Sequence, residues 1–341
     1  MLLWHNDGRD PFRNMATEEF LLMTTKEPCV MLWQNDPAVV IGKNQDARSE
    51  VDFDFASRNG IKIVRRLSGG GAVFHDKGNI NYTFIIPDGA ALQFAAFAGP
   101  IQEALAGLGI SVALSGRNDL VTVPDGRKCS GTAECIYNKG KNPDGSPRKM
   151  LLHHGTLLFS AELSIMSAVL TPDKEKLSAK GIRSVKSRVV NLQTLLSPEY
   201  ADMTAEDFKR YLEKFFLDSG AVSMRFSPQD SSAIDSLAER KYRTEAWLYG
   251  SFASGEKIKK RRFDFGTVSV MLRADGTRLG EISFAGDFFG IDDIGALENS
   301  LVGAELSYDT LVETLAASGL SRYIAGASPD EIAALICEAA N

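Results

Sequence analysis

Residues 64–79 read VRRLSGGGAVFHDKGN. The apolar run IKIVRRL (61–67) reads as a strand that runs straight into three consecutive glycines. Such a run removes side chains where something must approach the backbone closely, or where the chain must turn with positive φ. Backbone N–H groups in a loop of this kind form an anion-binding concavity. Arg65 and Arg66 add planar cationic forks suited to phosphate or carboxylate, and strand alternation sends only one of them into a site. Ala72, Val73 and Phe74 then offer an apolar slot. The combination suits a ligand that is anionic at one end and hydrocarbon at the other. Neither common nucleotide loop is present: no segment reads G-x-x-x-x-G-K-[ST], and Phe74 occupies the third glycine position of G-x-G-x-x-G. The plain alternative is a hairpin turn flanked by solvated arginines.

Working outward, NMATEEFLLMTT (14–25) reads as a short amphipathic helix, and CVMLWQ and AVVIG as strands divided by Asn35-Asp36-Pro37. NYTFIIP (81–87) and HHGTLLFS (153–160) are further strands. Residues 90–108 read as helix with a break or restart at Gly99-Pro100. DLVTV and KCSGTAE flank Pro124-Asp125-Gly126, a hairpin signal, whereas the Pro/Gly/Lys-rich 138–149 reads as an exposed loop. Residues 203–218 form an amphipathic helix with Thr204 in the capping position. After residue 250 the texture changes to strands around an Asp-Gly turn, followed by three helical segments. These features predict an α/β (α+β) fold with a mixed, largely antiparallel sheet in residues 1–250 and a small α/β unit in 251–341.

The 341 residues carry a formal net charge of −6, against the basic excess of a nucleic-acid binder. No leader pattern and no run long enough to span a membrane is visible. Cys29, Cys129, Cys135 and Cys337 form no Cys-x-x-Cys pair and read as free thiols of a cytoplasmic protein.

Lys128, in DGRKCSG, begins the strand after the hairpin turn. A solvated lysine is the default there. An inward-pointing one would hold two reacting anions together and stabilise transition-state charge. Alternation aims Cys129 the opposite way. KLSAKGIRSVKSRVVNL (176–192) is either a solvated charged face or a loop that folds over a polyanion.

RRLSGGGAVFHDKGNINYTF, GRNDL, GRKCSGTAE, HHGTLL and KGIRSVKSRVVNL, in this order, resemble the lipoate-protein ligases. LWQNDPAVVIGKNQDARSEV matches upstream, and FDFGTVSVMLRADGTRLGEISFAGDFF resembles that family's C-terminal accessory domain. The resemblance implies a fold similar to biotin ligase and the class II aminoacyl-tRNA synthetase core. It implies ATP and Mg2+ as cofactors and (R)-lipoate as substrate. Lipoate would become lipoyl-AMP with release of pyrophosphate, and the lipoyl group would pass to a lysine Nε. Acceptors would be lipoyl domains of oxoacid dehydrogenase acyltransferase subunits and the glycine cleavage H protein, with the enzyme expected to be a monomer.

By the same resemblance, Arg66, Gly71, Ala72, Val73, Phe74, Asn118, Asp119, Lys128 and Lys180 would meet ATP or the adenylate. Gly70, Gly71, His75, Lys128, His154 and Gly155 would meet lipoate; Lys128 would be catalytic and Asp119 a magnesium contact. The segment 180–188 would close over the adenylate. The 138–149 loop is longer than the family pattern suggests, and YGSFASGEKIKKRRF lacks the proline expected after Tyr-Gly. Residues 257–262, KIKKRR, are a plain solvated run or a patch for acidic lipoyl domains. Three rivals stand beside this reading: an ATP-independent octanoyl or lipoyl transferase using a Cys129 thioester, a biotin ligase, whose glycine loop has a different flanking pattern, and a non-catalytic lipoyl-domain binder. Acyl preference between lipoate and octanoate stays open.

Overall fold

The structure, a computed structural model, describes residues 1–89, 91–116, 118–141, 144–170, 189–250 and 257–340. Its strands along the chain are β1 (Leu2–His5), β2 (Cys29–Trp33), β3 (Ala38–Ile41), β4 (Lys62–Arg65), β5 (Val73–His75), β6 (Asn79–Pro87) and β7 (Val112–Ser115). There follow β8 (Asp119–Thr122), β9 (Lys128–Lys141), β10 (Pro147–Leu158), β11 (Val222–Met224), β12 (Lys257–Phe263), β13 (Gly266–Asp275) and β14 (Arg278–Gly286). The main sheet runs β11-β1-β2-β6-β10-β9-β8-β7. Its β11-β1-β2 edge is parallel and its remaining pairings are antiparallel, so the mixed, largely antiparallel α/β expectation holds.

Helix α1 (Pro11–Thr24) covers one face of this sheet. Asp10 caps it by accepting from the Phe12 N–H, and Pro11 takes the first position, where no N–H partner is needed. The opposite face is covered by helices Ala98–Ala106 and Ala205–Asp218. The second begins with a reciprocal capping box between Thr204 and Asp207, and its Phe208 stacks on Phe159 with ring centroids 4.5 Å apart. The 90–108 region is a 3-10 turn, Phe94–Phe97, followed by helix, with Gly99 and Pro100 in the first turn, where proline is tolerated.

A three-stranded sheet, β4-β3-β5, sits beside α1. β3 lies parallel to β4 and antiparallel to β5. The glycine loop therefore crosses the end of β3 to join the two outer strands, and the hairpin-turn alternative is set aside. A Cβ on Gly42, just after β3, would stand 2.0 Å from the Gly70 carbonyl oxygen.

The expectation of a loop at 138–149 is corrected. β9 extends to Lys141 and β10 starts at Pro147, with Met150 opposite Tyr137 and Lys149 opposite Asn138. Cross-strand pairing outweighs the turn-forming composition at 138–141 and 147–149.

β12-β13-β14 form a separate antiparallel sheet with its own core, packed on helices Ile294–Leu301, Tyr308–Ser318 and Pro329–Ala340. KIKKRR lies on edge strand β12, and its charge is partly met within the chain. Arg261 and Lys259 pair with Glu338, and Arg262 with Asp287. The segment after β14 reaches the glycine loop: the Gly70 N–H donates to the Phe288 carbonyl at 3.4 Å, and Lys43 pairs with Asp293 at 2.7 Å. Among the described residues no helix is long and apolar enough to cross a membrane.

Phe208 is fully buried. Phe208→Ala should lower unfolding stability by about 3–5 kcal/mol, measured by urea denaturation.

Candidate active site

The two arginines of the loop separate as strand alternation requires. Arg65 turns away and donates to the carbonyls of Gly42, Lys43, Gln45, Trp247 and Leu248, tying helix Glu245–Tyr249 to the small sheet. Arg66 turns into the site. Its Nε donates to Ser68 Oγ at 2.9 Å, its Nη1 to the Val40 carbonyl at 3.1 Å, and its Nη2 to the Gly69 and Gly71 carbonyls at 2.6 and 2.9 Å. Burial pulls this guanidinium down to about 10, which leaves it charged at neutral pH. Arg66 thus shapes the loop with its own hydrogen bonds while its side chain lines the adjoining cavity.

The glycines serve two purposes. A Cβ on Gly69 would stand 2.3 Å from the Phe288 carbonyl oxygen. Gly70 has φ +87°, and its Cβ would stand 2.8 Å from the Phe289 ring. These two admit the C-terminal segment. Gly71 has a nearest neighbour only at 3.9 Å and is the open one of the three.

Three cavities meet here. The first, about 630 Å3, is lined by Met15, Trp33, Val40, Arg66, Gly70, Gly71, Ala72, Val73, His75, Asn81, His154 and Gly155, with Asn118, Lys128, Gly131, Thr132, Ala133 and Thr156. The second, about 760 Å3, is walled by Phe74, Leu158, Met166, Leu170 and Val189. It shares Ala72, Val73, Lys128, Gly131 and Thr156 with the first. The third, about 1390 Å3, lies between the loop and the C-terminal unit, along Asn118, Asp119, Lys128, Arg262, Asp287 and Phe289. Lys128 is common to all three. Phe74, grouped with the loop residues by sequence, is 2% exposed and lines only the second.

Lys128 reaches this junction through a β-bulge. Leu120 pairs with Ser130, but its neighbour Val121 pairs with Lys128, so Cys129 is an extra residue in β9. Counting back by twos from the cavity-facing Ala133 and Gly131 would place Cys129 in the cavity and Lys128 in the core. The bulge exchanges them. The Cys129 thiol donates to the Leu120 carbonyl at 3.5 Å inside the core, where burial pushes it up to about 12. Lys128 Nζ lies 2.7 Å from Asp119 Oδ1, both side chains part-exposed. A side chain on Gly131 would crowd that ammonium, its Cβ standing 3.0 Å from Nζ.

Beneath the loop runs a buried relay. Trp33 Nε1 donates to Thr83 Oγ1 at 2.9 Å, and Thr83 donates to Glu18 Oε1 at 2.6 Å. The same oxygen lies 2.9 Å from His154 Nδ1, and His154 Nε2 lies 2.7 Å from Ser68 Oγ, which meets Arg66. Sequence reasoning found His154 and Arg66 but not Glu18, Thr83, Ser68 or Trp33. The one available signal was the Glu18-Glu19 pair within an apolar helix. Both are buried, and Glu19 accepts from Lys241 and Tyr242.

Among the described residues no group of three His, Cys, Asp or Glu side chains is arranged to hold a metal ion. Asp119, paired with Lys128, lines the third cavity with Asp264 and Asp287, and so sparse a carboxylate set suits Mg2+ only in the mode where substrate phosphates complete the ligand set. Asn118 Nδ2 donates to the Thr132 carbonyl at 2.7 Å. Lys180 and the segment 180–188 lie outside the described residues; the flanking Leu170 and Val189 both line the second cavity.

Glu18→Ala removes the acceptor shared by Thr83 and His154. It should lower stability in urea by about 1.5–3 kcal/mol, the range for hydrogen bonds to a charged group.

Residues 10–217 match the family model described as Lipoyl protein ligase A/B catalytic domain, and residues 256–336 match Bacterial lipoate protein ligase C-terminus. The chain is 32% identical over 335 residues to the lipoate-protein ligase LplJ of Bacillus subtilis (strain 168), covering 96% of this chain and 97% of that protein. It is 36% identical over 307 residues to a lipoate-protein ligase of Streptococcus pyogenes serotype M5 (strain Manfredo), covering 88% and 87%. In structure it resembles P. falciparum LipL1 in complex with lipoate, at TM-score 0.77, 22% identity and 99% of each chain. It also resembles a bi-partite lipoate protein ligase, solved with its E2 lipoyl domain, from Thermoplasma acidophilum, at TM-score 0.59, 24% identity, 73% of this chain and 96% of that one. A lipoate-protein ligase A bound with ATP gives TM-score 0.57 at 22% identity, over 73% and 98%. The structural likenesses speak for the fold. The two family matches and the near full-length sequence identity go further: the chain belongs to the lipoate-protein ligase family.

Proposed function

We propose that this protein activates free lipoate with MgATP and transfers the lipoyl group to the Nε of a lysine on a lipoyl domain. Residues 1–250 would form the catalytic unit and 251–341 the accessory one. The observation that carries this reading is the place of Lys128, where an inner apolar cavity, a second cavity and the cleft to the C-terminal unit meet. An acyl chain in the first cavity and an adenosine in the second bring carboxylate and α-phosphate together at this ammonium.

The first step joins two anions, and the ammonium lowers their repulsion. A carboxylate oxygen attacks the α-phosphorus, and pyrophosphate leaves. In the second step the acceptor amine, entering through the third cavity, attacks the acyl carbon. The bond to phosphate breaks, AMP carries away the negative charge, and the amine loses a proton. Gly71 lets the reacting groups approach the backbone. Arg66 keeps the loop in shape, its positive charge beside the phosphates. Asp119 holds Lys128 in position and is the carboxylate available to Mg2+, which when bound would neutralise phosphate charge. The apolar wall of Ala72 and Val73 limits water at the mixed anhydride.

The ATP-bound and lipoate-bound structural relatives support the substrate pair, and the T. acidophilum relative solved with its E2 lipoyl domain supports the acceptor class. Lipoyl domains of oxoacid dehydrogenase acyltransferase subunits and the glycine cleavage H protein are the proposed acceptors, with the enzyme acting as a monomer. A thioester route through Cys129 is disfavoured, because that thiol is buried in the core and held protonated.

Mass spectrometry of a lipoyl domain incubated with protein, lipoate and MgATP should show a lipoyl mass shift that requires ATP. Lys128→Ala should cut the rate by about a hundredfold or more, as removal of a transition-state donor does. Transfer without ATP from an acylated carrier protein would overturn the reading. Cys129→Ala should keep ATP-dependent transfer, measured in the same assay.

A further inference from the structure

The second half-reaction brings a lysine amine to the cleft, and that amine carries a positive charge at neutral pH. The cleft already holds two cations: Lys128 and Arg262 both line the third cavity. Each is met by a carboxylate. Lys128 Nζ lies 2.7 Å from Asp119 Oδ1, and Arg262 Nη1 lies 3.1 Å from Asp287 Oδ2. Asp287 also accepts from the Thr267 N–H. These pairs leave one further charged group on the wall, Asp264. Its carboxylate has no ion pair and no hydrogen bond among the described residues.

The neighbours of Asp264 hold it at that wall. Phe263, the last residue of β12, pairs with Gly266, the first of β13, so Asp264 and Phe265 form a two-residue turn. Phe265 belongs to the C-terminal core and stacks on Phe263, with ring centroids 5.0 Å apart and planes 8° from parallel. A Cβ on Gly326 would stand 3.0 Å from the Cβ of Phe265, so the bare backbone there gives that ring its seat. The turn is thus fixed from below, and Asp264 is its exposed member. Aspartate is common in turns because its carboxylate bonds nearby backbone N–H groups. Asp264 makes no such bond, so turn formation does not use its charge.

The cavity says what that charge meets. Gly70, Gly71, Asn118 and Lys128 line it from the glycine loop and the main sheet, whereas Asp264 and Phe289 line it from the C-terminal unit. An acceptor lysine on its way to an acyl group held at Lys128 passes between them. Lys128 and Arg262 would repel it, but each is neutralised by its own carboxylate, and Asp264 remains to receive an ammonium that leaves water.

We infer that Asp264 is an acceptor-binding residue: its carboxylate pairs with the ammonium of the incoming lysine and brings it to the acyl group at Lys128. The inference rests on the lipoyl-transfer reading and deepens it. The ammonium then loses a proton to solvent, the freed electron pair on nitrogen forms the bond to the acyl carbon, and the bond to phosphate breaks as AMP leaves.

The test gives synthetic lipoyl-AMP to an excess of the full-length protein, which bypasses the MgATP step, and compares three nucleophiles. A lipoyl domain and Nα-acetyl-lysine amide each bring an ammonium; hydroxylamine is uncharged at neutral pH. Asp264→Asn should lower the rates with the domain and with the lysine amide, relative to hydroxamate formation, by about two- to fivefold, the scale of one part-exposed ion pair. Asp264→Glu should restore most of the ratio, Asp264→Lys should lower it further, and added salt should narrow the gap between wild type and Asp264→Asn. An equal change with all three nucleophiles overturns the inference, because the turn would then only shape the cleft. A loss confined to the lipoyl domain overturns it as well, because Asp264 would then meet another part of that domain's surface. Wild-type transfer from lipoyl-AMP with an unchanged ratio in Asp264→Asn removes this inference alone, whereas no transfer by the wild-type protein removes the parent reading too.

Discussion

The site depends on a buried guanidinium saturated by the loop that it supports. A run of glycines has no side chains with which to fix itself, and its inward carbonyls need donors. Arg66 supplies them. The two carbonyls it binds at Gly69 and Gly71 set the curvature of the loop, and its bond to Ser68 connects that loop to the His154–Glu18 relay from β10 and α1. The charge is tolerable in the interior because nearly every N–H has a fixed acceptor. The mouth of the cavity is thus held from below by the sheet and from above by Phe288 and Phe289 of the C-terminal unit.

Local chemistry made much of this legible. The strand leading into the glycines, the capped helix after Thr204, and the Pro124-Asp125-Gly126 hairpin are written in periodicity and turn residues, and each is present. That only one of Arg65 and Arg66 enters the site followed from alternation; that it is Arg66 came from the resemblance. What escaped were partnerships across long stretches of sequence. Glu18 lies 136 positions from the His154 it binds, and its one local mark is the pairing with Glu19 within an apolar helix. Residues 138–141 and 147–149 have the composition of a loop, yet they are held as strand by a neighbour that composition does not contain. The close packing of Gly69 and Gly70 on the C-terminal unit was likewise invisible, because a glycine needed for a ligand and one needed for a protein neighbour look the same in sequence.

The cavities fit the two half-reactions proposed above. Lys128, Gly131, Thr156, Ala72 and Val73 wall both the first and the second cavity. On that proposal an acyl adenylate spanning them would not have to leave between steps, and the third cavity would give the acceptor a separate approach to the same ammonium. Proximity of this sort replaces an encounter in solution by a fixed geometry.

The extra residue in β9 has a wider meaning. Lysine and cysteine stand side by side at 128 and 129, and both are present in the chain whichever one faces the cavity. Which of them is presented is decided by the number of residues between β8 and the rest of β9, not by the identity of either. A β8–β9 hairpin one residue shorter, with the bulge lost and Val121 opposite Cys129, would turn the thiol toward the cavity and the ammonium toward the core without a substitution at either position. The side chain shown to the cavity is thus set by strand register, and alignments that score only residue identity would miss it.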